Sequence, residues 1–391
     1  MGTYKIERRT IKDPRSMNAN DQQSASPEPL DSLPHNPLFA DSIIAPPAPT
    51  AHRIFVGPFG LRAGWSLLIY FAILLSIVFT VRAVHDYNKN KAHQAAVAAG
   101  HGGPAVKADP NAPMPVVDGI EQEGISFAVI FAISLLMAFI ERRRVSAYGL
   151  GGQRSITRFV TGAVWGLAAI GLLVGTLRLL HLVSFDAQLD HGWQILRFGA
   201  LQLVLFLLVG LLEEYLFRGY LQSTLTRGMV GLGNRISASH GRAVAFWIAT
   251  IITSGLFFLA HTSNNGEDKL GLLLVFLAGA AFVFALWRTG SLWWAIGFHT
   301  AWDWSQSFLY GVPDSGLLAQ GRMFATHAMG NPLLSGGSVG PEGSVFCIPI
   351  LLLVILVLLF TRPSPLPSLE TNRQLPAPID QTPQLERSAA L

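Results

Sequence analysis

The chain has 391 residues, half of them hydrophobic, and only 13% are charged, against about 25% in an ordinary soluble domain. That balance excludes a soluble enzyme of this length, and it excludes a disordered or fibrous chain; a polytopic, all-α membrane helix bundle is the reading that remains. The net charge of +4 is small and the bases form no stripe interleaved with aromatics, so no nucleic-acid partner is expected, and the single cysteine, Cys347, excludes an internal disulfide, a zinc finger or an iron–sulfur cluster.

In chain order, residues 1–60 are polar and proline-bearing, with Pro46, Pro47 and Pro49 close together. They read as a disordered cytoplasmic arm. Eight apolar stretches follow within a transmembrane domain over 61–361: Trp65 to Val81, Ile125 to Ile140, Phe159 to Leu180, a fourth from Leu196, Ala243 to Ala260, Leu270 to Trp287, a seventh from Leu292, and Val345 to Phe360. A span takes about 20 residues, which leaves the second and the eighth marginal. Residues 362–391 carry Pro363, Pro365, Pro367, Pro376 and Pro378 and read as a disordered tail.

Bases set an orientation. Lys5, Arg8, Arg9, Lys12, Arg15, Arg53 and Arg62 precede the first span; Arg142, Arg143, Arg144, Arg154 and Arg158 follow the second; Arg227, Arg235 and Arg242 follow the fourth; Arg288 follows the sixth and Arg362 the eighth. All fall on one side if both termini are cytoplasmic, in what is read as a bacterial-type plasma membrane. The 85–124 and 311–343 segments then lie outside, as loops or poorly ordered chain.

The third span spaces glycines as Gly162-x-x-x-Gly166 and Gly171-x-x-x-Gly175, a pattern that lets helix backbones approach closely. Trp287, Trp293 and Trp294 flank the turn at Thr289-Gly290 and read as interfacial anchors.

Ionisable groups inside apolar spans are costly and mark function. The fourth span holds Glu213-Glu214-Tyr215-Leu216-Phe217-Arg218. Glu214 and Arg218 stand four residues apart on one helical face and are expected to pair, whereas Glu213 points about 100° away and must find its partner on another helix. A carboxylate so placed suits proton transfer; a purely structural ion network between helices is the other reading. The fifth span ends in Phe257-Phe258-Leu259-Ala260-His261, and the seventh contains His299-Thr300-Ala301-Trp302-Asp303, with His299 and Asp303 on one face. Three polar groups of this kind in apolar spans point to one buried site where the fourth, fifth and seventh helices meet. That requires the fourth helix to continue through Tyr220-Leu221-Gln222, so that Glu213 comes to the depth of His261, or the fifth to be short or tilted.

The order Glu-Glu-x-x-x-Arg, Phe-x-x-x-His, His-x-x-x-Asp, over about residues 200–310, resembles the CPBP family of intramembrane proteases, which includes the eukaryotic CAAX prenyl endopeptidases and bacterial Abi-type proteins. The resemblance implies that Glu213 activates the attacking water, with Glu214, Arg218 and Phe257 supporting the site and His261 and His299 assisting. Asp303 stands where eukaryotic members carry asparagine; an ionised aspartate repels an oxyanion, so Asp303 is either protonated, an orienter of His299, or a metal ligand. Two mechanisms follow. In one, Glu213 is the base and no metal takes part; in the other, zinc is held by His261, His299 and a carboxylate such as Asp303. The metal-free mechanism is preferred, because the chain lacks the His-Glu-x-x-His pair of ordinary zinc proteases. The expected function is an intramembrane endopeptidase acting on a membrane-associated peptide or protein in the lipid bilayer. The alternatives are a proton-coupled transporter, disfavoured by the absence of a two-fold repeat, and a non-catalytic immunity or binding protein.

Overall fold

In a bilayer every backbone N–H and C=O must be satisfied within the protein, and a helix does this within its own segment. The computed structural model describes residues 54–57, 59–99, 112–152, 154–264, 266 and 268–366, and each of the eight apolar stretches is helical. The helices are α1 (Ala63–Ala98), α2 (Val116–Ile140), α3 (Ser155–Leu179), α4 (Trp193–Ile236), α5 (Gly241–His261), α6 (Lys269–Thr289), α7 (Trp293–Trp304) and α8 (Cys347–Phe360). Six of them, α1 to α6, are long and apolar enough to cross a membrane; α7 and α8 are shorter. The second stretch, marginal by its apolar residues alone, gains its length from a polar first part that carries Asp118, Glu121 and Glu123 and is also helical.

Helix α4 is the longest described element, 44 residues or about 66 Å. It does continue through Tyr220-Leu221-Gln222, and the stretch Glu214–Leu221 is wound as a π-helix. Glu213 therefore lies near its midpoint. A second π turn, Ser305–Leu309, extends α7.

The links sort to two ends of the bundle. At one end, Arg143 Nη2 donates to the Phe59 carbonyl (2.7 Å), Leu292 N to the Gly149 carbonyl (2.9 Å), and Arg288 to the carbonyls of Leu358, Leu359 and Thr361. Arg227 makes a two-pronged ion pair with Glu141, 2.9 Å at each oxygen, and reaches Ser66 Oγ at 3.1 Å, tying α1, α2 and α4 together. At the other end, strand β1 (Val183–Gln188) pairs antiparallel with β2 (Phe324–Ala328), and Met114 N donates to the Leu318 carbonyl. The links after α1, α3 and α7 thus share an end, as the distribution of bases requires.

The 311–343 segment is not a loose external loop. Val312, Ala319 and Val339 are buried, Gln306 Nε2 donates to the Pro313 carbonyl at 2.7 Å, and the segment folds back into the bundle, where α7 and α8 are too short to fill it. Likewise the 85–124 segment is largely helical at both ends, through Ala98 and from Val116, with residues 100–111 outside the described set. At the edges of the two tails, Val56–Gly57 pairs with Gly60–Leu61 and Ser364 N donates to the Arg288 carbonyl; the remainder of the arm and tail lies outside the described residues.

Two details differ from the sequence reading. Only the first glycine pair of α3 is a close contact: a Cβ at Gly162 would collide with the Trp294 carbonyl and one at Gly166 with the Phe298 carbonyl, whereas Gly171 would meet only the Tyr310 hydroxyl and Gly175 nothing. Trp294 is not an interfacial anchor. It is 3% exposed and stacks on Phe298 in the core, because α7 is enclosed by its neighbours.

Candidate active site

Glu214 and Arg218 pair as their spacing requires, Oε1 to Nη1 at 3.0 Å, with both side chains buried. The Arg218 guanidinium lies 4.1 Å from the Phe257 ring centre and 5.3 Å from that of Phe282. Two aromatic faces and one carboxylate therefore take the place of water around a buried cation. The pairing holds more than the helical spacing implied: Glu214 Oε1 also accepts from His299 Nδ1 at 3.0 Å. Glu214 joins the α4 cation to the α7 imidazole.

Glu213 finds its partner across the bundle. Its Oε2 lies 3.7 Å from His299 Nε2, and Asp303 Oδ2 lies 3.4 Å from the same nitrogen. The adjacent glutamates so address the two nitrogens of one imidazole, Glu214 at Nδ1 and Glu213 at Nε2. Carboxylates only accept, so Nε2 attracts its two neighbours when a proton sits on it or on one of those carboxyls. The ring is held flat against Phe282, with centroids 5.3 Å apart at 25°.

His261 closes α5. Its Nδ1 faces the Phe257 carbonyl at 2.8 Å. A carbonyl only accepts, which fixes the hydrogen on Nδ1 and leaves Nε2 as the free acceptor. The Phe257-x-x-x-His261 spacing supplies that bond within one turn, and the Phe257 ring packs on both Arg218 and His261.

Glu213, His261, His299 and Asp303 all line one cavity of about 350 Å³, together with the apolar side chains of Leu274, Phe282, Trp302 and Leu351. Glu214 and Arg218 stand behind its wall. The mismatch of depth between Glu213 and His261 is removed by the length of α4.

Among the polar groups of this cavity that sequence reading missed are Glu123 from α2, Ser307 from the π turn, and Asp314 and Glu342 from the 311–343 segment. Asp314 and Glu342 are the only acidic residues of that segment, which is the one signal the sequence carries for them. Burial pushes the Asp314 carboxyl well up from the usual carboxylate range, and Asp303, Glu342 and Glu213 push it further. Burial also raises Glu342, opposed by the Ser315 N–H that it accepts.

The residues present do not fit the zinc set. Among the described residues no three of His, Cys, Asp and Glu are gathered as a metal ion needs, and His299 turns one nitrogen to Glu214 and the other to Glu213 and Asp303.

The family model described as Rce1-like, type II CAAX prenyl endopeptidase Rce1-like, matches residues 195–305. That stretch contains all three motifs and ends before Ser307, Asp314 and Glu342. No curated protein and no solved structure matches the chain.

Proposed function

We propose that this chain, a CPBP-family protein by its Rce1-like segment at 195–305, is an endopeptidase that hydrolyses a membrane-proximal peptide bond within the bilayer. The observation that carries the reading is that Glu213, His261 and His299, from three helices, line a single cavity. Water held by His261 Nε2 gives its proton to Glu213 as its oxygen attacks the peptide carbonyl. His299, protonated on both nitrogens, donates Nδ1–H to Glu214 and presents Nε2–H to the oxyanion. Glu213 then hands the proton to the leaving amine as the C–N bond breaks. Asp303, 3.4 Å from His299 Nε2, orients that imidazole and takes no metal.

The test is cleavage of membrane peptides by the purified, reconstituted chain. Glu213→Ala and His261→Ala are each expected to abolish cleavage while expression stays normal, and elemental analysis of the active protein is expected to find no stoichiometric metal. Cleavage that survives either substitution sinks the assignment, and stoichiometric zinc required for activity sinks the metal-free version.

A further inference from the structure

Among the described residues the cavity is lined by five carboxyl groups, Glu123, Glu213, Asp303, Asp314 and Glu342, and by no lysine or arginine. Of its two imidazoles, His299 is already shared among Glu213, Glu214 and Asp303. The carboxyl groups are concentrated at one end. Asp303 and Ser307 lie one helical turn apart where α7 passes into its π turn, and Asp314 and Glu342 face them from the 311–343 segment.

A cluster of acids alone says little, but this one is accompanied by an unpartnered hydroxyl, whose oxygen can accept from an ammonium or guanidinium N–H. Ser307 is 1% exposed, lines the cavity, and its Oγ has no hydrogen-bond partner. A buried hydroxyl without a partner costs free energy unless a ligand satisfies it. The acids are too dispersed for one metal ion. A longer cation suits them, one with an apolar stem to lie along Leu317 and Val339, which also line the cavity, and a charged head to reach the carboxylates. A cationic head beside Asp314 and Glu342 offsets the burial that raises them and so favours their ionised forms.

We infer that the end of the cavity formed by Asp303, Ser307, Asp314 and Glu342 is a subsite for a lysine or arginine side chain of the bound peptide. The inference rests on the endopeptidase reading for what the ligand is, and on the gathered carboxyl groups and the unpartnered hydroxyl for where it binds. Asp314, Glu342 and Ser307 all lie beyond the residues that match the Rce1-like family.

The test measures binding apart from chemistry. Full-length Glu213→Gln protein in detergent micelles is titrated with fluorescent apolar peptides identical except at one position, which carries lysine, norleucine or glutamate. The lysine peptide is expected to bind at least about tenfold more tightly than the norleucine peptide, equivalent to about 1.4 kcal/mol, and the glutamate peptide most weakly. In an added Asp314→Asn, Glu342→Gln background the lysine-to-norleucine ratio is expected to fall toward one. Equal binding of lysine and norleucine peptides overturns the subsite, and so does a ratio that the double substitution leaves intact. Asp314→Lys guards against misfolding as the explanation: it is expected to bind the glutamate peptide better than its parent does, a gain no unfolded protein can give, and failure to gain counts against the subsite. Parallel assays of the wild-type chain separate the two readings. Charge discrimination with no cleavage of any peptide refutes the endopeptidase and supports the subsite, whereas cleavage without discrimination does the reverse.

Discussion

Glu213 and Glu214 are neighbours in sequence with opposite circumstances. Glu214 is fully buried and bonded to Arg218 and His299; Glu213 is half-buried and lines the cavity. Removing one partner of a buried ion pair leaves an uncompensated charge, at a cost of about 3–5 kcal/mol. Arg218→Met is therefore expected to lower the thermal midpoint of the purified protein sharply, or to prevent its accumulation, while Glu213→Gln leaves the midpoint near that of the parent. Equal midpoints for the two variants would contradict the division of labour between structure and chemistry. The sequence showed the Glu214–Arg218 pair, because four residues is one helical turn. It did not show that Glu214 also holds His299, since that bond spans 85 positions and exists only because α4 meets α7.

At the scale of elements, His299 is placed by the contact of α3 with α7. Gly162 and Gly166 let the α3 backbone touch the Trp294 and Phe298 carbonyls, the latter one residue before His299. A branched side chain at either position must push the helices apart and displace the imidazole from Glu214. Gly166→Val is expected to lose cleavage and to lower the yield of monodisperse protein in size-exclusion chromatography, and Gly175→Ala, with open space around it, to behave like the parent. A Gly166→Val protein as active as the parent would show that this contact does not set the site. The π-helical stretch Glu214–Leu221 was not legible at all, since its residues have no composition that forbids an α-helix. π turns of this kind recur at functional sites.

For the whole molecule, Arg143, Arg227 and Arg288 lie at the end opposite the paired strands, which supports the proposal that both termini face the cytoplasm. Reporter fusions within residues 100–110 and 228–240 are expected to land on opposite sides of the membrane; a same-side result breaks that topology. Apolar runs and their flanking charges showed the membrane class and located α1 to α8, though eight spans were expected and six described helices are long enough to cross, because hydrocarbon admits only chain that satisfies its own backbone; three motifs with helical spacing marked six residues of the candidate site. Tertiary structure alone decided the rest. It drew the 311–343 segment into the bundle behind two short helices and so brought Asp314 and Glu342 to the cavity of Glu213. Spacing along a helix is a local quantity that a sequence displays directly, whereas the meeting of a link with a cavity depends on how every helix between them is packed.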